Sequence, residues 1–400
     1  MSNSKFPTMS PSEAIANNVD LLTEILVRSP VKSLMKFKCV SKHWQSLISS
    51  PCFTRRLYPD THLVSGLILH RTYGRLSIPE YDFLPLGAKL ISAPFRSLTV
   101  ANHPLGLSIL QSCNGLLFCS SSTSNSNLPC DYHIYNPTVI HRIGLAYDPA
   151  KSSHFKIVCI CSDPLEENGN AGVSYQIEVY SSQTGSWRLS GLPFVLLYNL
   201  KHKVGVFWNG ALHWIDPFYS CLCFKVDEEQ LQEMPMPPFQ VPSNLIERLG
   251  MMVAEALGRS VVCFGESQEH LHIVVNNDRC RKKFNVYEMK RDYSGWFVKY
   301  HVNLDALINA FPEIDASLDD FQQPSAYHEY SILGIIREAN DEQSYMVLHI
   351  RGKAIRYNLN DKTFTKICDF DPGHEVINGS QLKFEWSHAY HYIEILAPFG

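Results

Sequence analysis

One local pattern recurs through most of this chain: a short apolar strand that contains an aromatic residue, then a turn, then another aromatic or apolar residue. Five such aromatic residues serve as anchors, namely Tyr135, Tyr180, Phe224, Tyr287 and Tyr357, and they lie 45, 44, 63 and 70 residues apart. Recurrence at such intervals is typical of folds that repeat one supersecondary unit many times. The chain is therefore expected to be built mainly of repeated β units.

Most anchors follow a second apolar strand, as Tyr180 follows Lys156–Cys159. A repeat of this length with several strands is typical of the blades of a kelch-type β-propeller, and the spacing favours about six blades. We expect the terminal strand His391–Leu396 to close the ring against an early strand such as Leu67–Leu69.

The second blade is expected to be incomplete. Only 10 residues separate Tyr135 from Leu145, so a strand that should follow Asn136-Pro137-Thr138 is absent from the pattern. A truncated or alternatively spliced chain would explain the gap, which leaves a sheet edge that folded proteins normally avoid.

Residues 17–57 have a different pattern, because their apolar residues recur at helical spacing. We expect three short helices there, with Asp20 as the N-cap of the first and Ser41 as the N-cap of the third. So small a unit cannot bury all of its apolar surface within itself, so the excess must pack on the rest of the chain or on a partner.

Charge separates the two parts of the chain. Residues 17–57 carry seven Lys and Arg against Asp20 and Glu24, a net charge of +5, whereas the whole chain has −4 and residues 58–400 therefore have −9. This balance excludes a generally basic nucleic-acid binder. A basic helical module suits an acidic partner with an apolar groove.

The apolar segments of the sequence indicate the cellular compartment in which the protein is expected. Residues 1–16, which we expect to be disordered, lack the apolar core of a signal peptide. The longest apolar run, near Leu192–Tyr198, is too short to span a bilayer. We expect a protein of the cytoplasm and/or nucleus, where thiols stay reduced and the 12 cysteines serve mainly as buried small apolar residues.

The chain contains no pattern that specifies catalysis or a cofactor. Cys159-x-Cys161 and Cys221-x-Cys223 each place two thiols on one strand face, which is half of a metal site, and core cysteines are the simpler interpretation. We therefore expect no metal, no cofactor and no catalytic residues. A propeller hydrolase with carboxylates around the central channel stays a rival hypothesis.

Two further features of the sequence each allow two interpretations. The basic run Arg279–Lys283 fits a solvated hairpin tip or a docking site for an acidic or phosphorylated target. Trp187, Trp208, Trp214 and Trp296 fit packing within blades or a ligand-binding surface.

The helical module resembles an F-box. The resemblance is carried by Asp-Leu-Leu-x-Glu-Ile-Leu at 20–26, Pro-Val-Lys-Ser-Leu at 30–34 and Cys-Val-Ser-Lys-x-Trp-x-Ser-Leu-Ile at 39–48. It implies docking onto a Skp-family adaptor, and through it onto a cullin and its RING subunit. Asn17-Asn18 and Ser29 stand where the family usually has Leu-Pro and Leu. Losing one leucine contact removes about 1.5–3 kcal/mol of apolar burial, so we expect weaker adaptor binding than is typical.

The chain after the helices is similar to the F-box-associated domain of a large plant family of F-box proteins. The matching pieces occur in order at Ser112–Leu117, Tyr135–Thr138, Gly144–Pro149 and Trp208–Trp214. The resemblance implies a non-catalytic substrate-recognition subunit of an SCF-type E3 ubiquitin ligase. Its F-box would bind the adaptor and its β-domain an unidentified target protein, with no nucleic-acid or membrane partner.

The expected fold is α+β and multidomain: a disordered N-terminus at 1–16, a three-helix F-box at 17–57, and an all-β kelch-like propeller at 58–400. The alternative is a non-ligase propeller that binds a protein or a glycan and uses its helices only as a cap. The residues expected to contact the adaptor, or to hold the shape of the contact surface, are Leu21, Leu22, Ile25, Leu26, Pro30, Val31, Leu34, Val40, Trp44 and Ile48.

Overall fold

The structure of the protein is a computed structural model. It describes residues 18–29, 31–57, 64–71, 79–87, 97–98, 106–121, 139–162, 173–196, 203–216, 220–235, 261–275, 282–312, 330–350, 352–370, 376–378, 381–383 and 386–393. The expected disordered segment 1–16 lies outside these ranges.

The F-box segment contains four helices, α1 (Val19–Val27), α2 (Val31–Phe37), α3 (Lys42–Ile48) and α4 (Pro51–Leu57). The expectation of three helices was therefore wrong. The fourth helix begins at Pro51, because proline is well suited to the first turn of a helix.

Helix α4 is held at its start and at its centre. The Ser50 hydroxyl accepts a hydrogen bond from the Phe53 amide at 3.2 Å, which caps the new helix. Phe53 itself is fully buried, so the helix is also held by packing.

The N-cap of α1 is Asn18 rather than Asp20, and that prediction is also corrected. Asn18 has an extended backbone, and its side-chain oxygen accepts from the amides of Asp20 and Leu21, both at 3.1 Å. Asp20 lies in the first turn, where a carboxylate favourably faces the positive end of the helix dipole. Ser41 caps α3 as predicted, since its hydroxyl accepts from the Trp44 amide at 3.1 Å.

The remaining elements are mostly strands. They are β1 (Gly66–Arg71), β2 (Tyr81–Pro85), β3 (Leu107–Cys113), β4 (Leu116–Ser121), β5 (Val139–Ala146), β6 (Lys156–Ser162), β7 (Val173–Ser181), β8 (Ser186–Leu196), β9 (Lys203–Val204), β10 (Val206–Trp208), β11 (Ala211–Asp216), β12 (Ser220–Lys225), β13 (Gln230–Met234), β14 (Val261–Ser267), β15 (His270–Val275), β16 (Lys283–Met289), β17 (Trp296–Asn303), helix α5 (Asp305–Ala310), β18 (Tyr330–Ile336), β19 (Tyr345–Ile350), β20 (Lys353–Asn358), β21 (Phe364–Asp369), β22 (Val376–Asn378), β23 (Gln381–Lys383) and β24 (Trp386–Tyr392).

Consecutive strands pair into antiparallel sheets of the kind that make propeller blades. The sheets β10–β13, β14–β17 and β18–β21 have four strands each in chain order, and β5–β8 has the same order with β9 added parallel to β5. Among the described residues, β3 pairs with β4 and β22 with β23, and β1 lies between β2 and β24. The domain is thus propeller-like, built mostly of four-stranded sheets.

The predicted repeat is confirmed where the structure describes it. Tyr180, Phe224, Tyr287 and Tyr357 each lie on the third strand of a four-stranded unit. The anchor intervals vary because the connections between sheets vary in length: 26 residues separate β13 from β14, whereas nine residues separate β8 from β10. Tyr135 lies outside the described residues.

The predicted pairing of the first and last strands is confirmed. In the antiparallel pair of β1 and β24, Leu67 lies opposite His391 and Leu69 opposite Ala389. The last strand begins earlier than expected, at Trp386. Of the second blade the structure describes the β3–β4 hairpin, so its incompleteness stays a prediction.

The sheets pack through buried apolar clusters at their mutual boundaries. One cluster joins β15–β17 to β18–β20, another joins β11–β13 to β15 and β16, and a third joins β5–β7 to β11 and β12. Towards the centre, β24, β3, β5, β10, β14 and β18 contact one another in this order, and β18 contacts β24 again. These innermost strands surround the cavity described below.

Of the four tryptophans weighed above as a possible ligand-binding surface, three lie at boundaries between sheets. The indole N–H groups of Trp208, Trp214 and Trp296 each donate to a backbone carbonyl in a neighbouring sheet or just beyond its end, at 2.7, 3.1 and 2.9 Å. Trp187 is half-buried in a cluster with β5 and β6. The geometry favours the packing interpretation of these residues.

Candidate functional site

The four helices of the F-box share one small apolar core. Its fully buried members are Leu22, Leu26, Leu34, Ile48 and Phe53, and at least one comes from each helix. The core fixes the positions of the helices and hence of the side chains that point away from it.

Four large apolar side chains in the described part of the F-box are exposed to solvent, and two of them form an apolar strip on α1. Val19, Leu21 and Ile25 of α1 are 46%, 50% and 52% exposed, and Val40, which follows α2, is 61% exposed. Leu21 and Ile25 are four residues apart and therefore lie on one face of α1. Apolar groups of this size in solvent mark an interaction surface when several occur together.

The residues predicted to serve the adaptor thus divide into two groups. The buried members hold the helices in place, and the exposed members are available to a partner. Trp44 is half-buried and packs edge-to-face on Phe37, with ring centroids 5.6 Å apart. Pro30 and the side chain of Val31 lie outside the described residues. The exposed group is Leu21, Ile25 and Val40, and the buried group is Leu22, Leu26, Leu34 and Ile48.

The F-box also carries basic side chains. Glu24 pairs with both Arg28 and Arg56, which neutralises part of the positive charge of the module. Lys36 and Lys42 are exposed to solvent. The exposed surface of the module is therefore partly apolar and partly cationic, which is complementary to an acidic protein with an apolar groove.

Sequence reasoning missed three residues of the F-box. Val19 is a further exposed apolar residue of α1, Asn18 caps that helix, and Phe53 belongs to the core. Signals for two of them were present: Asn18 is a favoured N-cap type, and Ser50-Pro51 is a typical helix start.

The β-domain contains a central cavity of about 300 Å³. Its wall is built from the inner strands β3, β10, β14, β18 and β24, with side chains that are mostly apolar. Its titratable side chains include Glu266, His272 and His391, together with two cysteines and Tyr390. Burial raises the pKa of Glu266 to about 7 and lowers those of His272 and His391 to about 3 and about 4.

A second cavity of about 510 Å³ lies among short turns at the boundary of the sheets β10–β13 and β14–β17. Its charged lining is mixed, with Lys151, Lys225 and Arg291 beside Asp227 and other acids. Lys225 pairs with a neighbouring glutamate at 3.1 Å, so part of this charge is internally compensated.

The other sequence candidates are placed as follows. Cys159, Cys161, Cys221 and Cys223 are all buried in apolar clusters. In the part of the chain that the structure describes, no group of three or more His, Cys, Asp or Glu could hold a metal ion, and no helix is long and apolar enough to cross a membrane. The basic run lies in the connection between the paired strands β15 and β16, and its members at 279–281 are outside the described residues.

Comparisons with known proteins agree with this architecture. The protein-family model of the F-box domain matches residues 18–56, and that of the F-box associated beta propeller domain matches residues 89–276. The F-box protein At5g07610 of Arabidopsis thaliana is 33% identical over 383 residues, which cover 90% of this chain and 87% of that protein. The F-box/kelch-repeat protein At3g23880 of the same plant is 22% identical, over 55% of this chain and 65% of that protein.

These matches, on a four-helix module joined to a propeller-like β-domain, define the class of F-box proteins with a β-rich second domain. The chain belongs to the plant F-box proteins that carry an F-box-associated domain.

Solved structures are only distantly similar. A structure of oligogalacturonate lyase in complex with manganese has a TM-score of 0.34 at 10% identity, over 78% of this chain and 81% of that one. A nidogen/laminin complex has a TM-score of 0.30 at 11% identity, over 75% and 77%. Both TM-scores lie below 0.5, so we infer nothing about this protein from these structures.

Proposed function

We propose that this protein is the substrate-recognition subunit of an SCF-type (Skp–cullin–F-box) E3 ubiquitin ligase. The observation that carries the proposal is the exposed apolar strip of Leu21 and Ile25, with Val19 and Val40 also exposed, on a helical module of the F-box family. An acidic Skp-family adaptor with an apolar groove would cover this strip and meet the exposed lysines of the module. Through the adaptor the chain would reach the cullin and its RING subunit.

The role proposed for the chain is non-catalytic. The receptor would hold a target protein on its β-domain while the F-box end is tethered to the transfer machinery. Such tethering raises the effective concentration of the target's lysines near a charged ubiquitin carrier, and this accelerates transfer without a catalytic side chain in the receptor. The target is an unidentified protein that the β-domain recognises.

We further propose that the β-domain is a closed propeller of six blades, with the second blade short. The pairing of β1 with β24 and the ordered contacts among the six innermost strands support this proposal. A chain that ends before Trp386 would lose the strand that joins the first blade to the last. We expect it to be cleaved faster than the full chain in limited proteolysis; equal rates would contradict the closed ring.

The test of adaptor binding uses exposed positions. Leu21→Glu and Ile25→Glu place a carboxylate on the strip without entering the core, because both side chains are about half exposed. The matched control is Leu192→Glu, since Leu192 is 87% exposed on β8 of the β-domain. Leu34→Glu is a poorer test, because Leu34 is fully buried and its variant would unfold the F-box.

We expect the wild type and Leu192→Glu to co-purify with a Skp-family adaptor when co-expressed. Leu21→Glu and Ile25→Glu are expected to lose co-purification while they keep the far-UV circular dichroism of the wild type. A wild type that fails to bind the adaptor would overturn the proposal and leave the alternative of a propeller binding protein with a helical cap. Location in the cytoplasm and/or nucleus stays a prediction, which imaging of a fluorescent fusion would check.

A further inference from the structure

The central cavity has the make-up of a small-molecule site rather than of a polar water channel. Its wall is largely apolar, with Leu110, Phe207, Phe264 and Leu333 among its side chains. Few polar groups converge on it. A cavity with an apolar wall and a small number of polar groups is the usual composition of a ligand site, and about 300 Å³ lies at the lower end of their size range.

Glu266 is the acidic group of this cavity. Its Oε1 accepts a hydrogen bond from the amide of Glu269 at 2.7 Å. Within the described residues no Lys, Arg or His forms an ion pair with it, and the nearby charge of Glu269 is repulsive. Glu266 is half-buried, and a carboxylate that is partly withdrawn from water without a cationic partner is costly. Burial raises the pKa of Glu266 to about 7.

The remaining titratable groups of the described wall are neutral near pH 7. Burial lowers the pKa of His272 to about 3 and of His391 to about 4, so both imidazoles are uncharged. The Nε2 atom of the fully buried His272 has no hydrogen-bond partner among the described residues. Cys113, Cys263 and Tyr390 also line the cavity, and burial raises the pKa of each, so all three stay protonated near pH 7. Glu266 is therefore the group there that changes charge near neutral pH.

We propose that the central cavity binds a small organic cation, an apolar body that carries one ammonium group, with Glu266 as its counter-ion. The cation supplies the missing positive partner, the neutral imidazoles accept or donate hydrogen bonds, and the apolar wall covers the body. At the packing density of protein interiors, 300 Å³ holds about a dozen non-hydrogen atoms. This site is separate from the F-box strip, so it does not depend on adaptor binding.

Tryptamine is a suitable probe, because it has an aromatic body, one ammonium group and the expected size. Tryptophol is its matched control, since a hydroxyl replaces the ammonium group on the same body. Isothermal titration calorimetry of the full chain is expected to show saturable tryptamine binding at pH 8. Only the ionised form of Glu266 attracts the cation, so the affinity should rise through pH 7 and be about tenfold higher at pH 8 than at pH 6.

Two variants test the assignment. Glu266→Gln keeps the size of the side chain and is expected to weaken tryptamine binding about tenfold or more at pH 8 and to remove its pH dependence. Gly265→Phe fills the cavity: Gly265 lies in the wall opposite His272 on the neighbouring strand, and a Cβ there would meet nothing within 4 Å. It is expected to abolish binding of both probes.

The proposal is overturned if tryptamine shows no saturable binding, if it binds no better than tryptophol, or if Glu266→Gln binds as the wild type does. Wild-type affinity in a folded Gly265→Phe protein would place the bound probe elsewhere and also overturn it. If Gly265→Phe loses the far-UV spectrum of the wild type, it no longer tests the site. The proposal is then decided by tryptamine against tryptophol on the wild type and by tryptamine binding to Glu266→Gln.

Discussion

The packing at the boundary between the sheets β5–β8 and β10–β13 allows a quantitative prediction of how a substitution at Gly205 changes stability. A Cβ added to Gly205 would lie 2.9 Å from Nε1 and 3.0 Å from Cε2 of Trp214. Trp214 is fully buried, and its indole N–H donates to the Ile143 carbonyl at 3.1 Å. The Gly205 amide donates to the same carbonyl at 2.7 Å, so neither group can move freely away from the other.

Gly205→Ala should therefore destabilise the β-domain. Replacing glycine by alanine reduces the entropy of the unfolded chain and by itself stabilises by about 0.4–1 kcal/mol. Overpacking against a rigid buried ring costs about 1–3 kcal/mol. The net expected loss in the free energy of unfolding is about 1–2 kcal/mol.

A double-mutant cycle separates the steric contact from other effects. In a Trp214→Phe background the atoms that a Cβ at Gly205 would strike are gone, so Gly205→Ala should be neutral or stabilise by about 0.5 kcal/mol. The Ile143 carbonyl keeps the hydrogen bond from the Gly205 amide, so Trp214→Phe does not leave a buried acceptor without a donor. The expected interaction energy is about 1–3 kcal/mol.

The assay is urea unfolding followed by far-UV circular dichroism, which does not depend on tryptophan fluorescence. Gly87→Ala is the matched control, because a Cβ there would meet nothing within 4 Å. It should leave stability unchanged or raise it slightly. An equal cost of Gly205→Ala with and without Trp214 would refute the packing argument.

Three more outcomes are expected in stability measurements. Phe53→Ala should cost about 3–5 kcal/mol, because a fully buried ring is lost; in the exposed control Val40→Ala the change should stay within about 0.5 kcal/mol. Asn18→Ala should cost about 1 kcal/mol and speed amide exchange in the first turn of α1; unchanged exchange would argue against the cap. Arg337→Met should cost about 3 kcal/mol or more, because buried Glu288 loses a cationic partner 3.3 Å away; a cost below about 1 kcal/mol would contradict this.

Much of the fold was predictable because the repeat is local. An aromatic anchor lies on the third strand of each unit, so Tyr180, Phe224 and Tyr357 mark equivalent strands from sequence alone. Their packing differs, since Tyr180 is half-buried and the other two are fully buried. The pairing of Leu67 with His391 was also predictable, since a ring of sheets must bring its ends together.

Other features depend on information that a sequence pattern does not carry. Asn18 and Asp20 are both good N-cap residues, and only the backbone at Asn18, which is extended, decides between them. The central cavity could not be predicted, because its wall comes from strands far apart in the chain: Glu266 and His272 lie on the hairpin of β14 and β15, His391 lies on β24, and these strands meet only through the order of the sheets. The exposure of Leu21 beside buried Leu22 likewise needed the packing of four helices.

At Asn18, where this F-box departs from the usual family pattern, the structure shows what the substituted residue does. Asn18 stands where the family usually has proline, whose side chain accepts no hydrogen bond. In this chain Asn18 accepts from the amides of Asp20 and Leu21 and fixes the first turn of the helix that carries Leu21 and Ile25. An N-cap contributes about 0.5–2 kcal/mol, and a surface that is ordered before binding has less to lose on binding. The leucine that Asn17 replaces would contribute about 1.5–3 kcal/mol of burial against the adaptor. The two effects oppose each other, and their difference of about 1 kcal/mol corresponds to an affinity within about tenfold of an F-box that has the leucine.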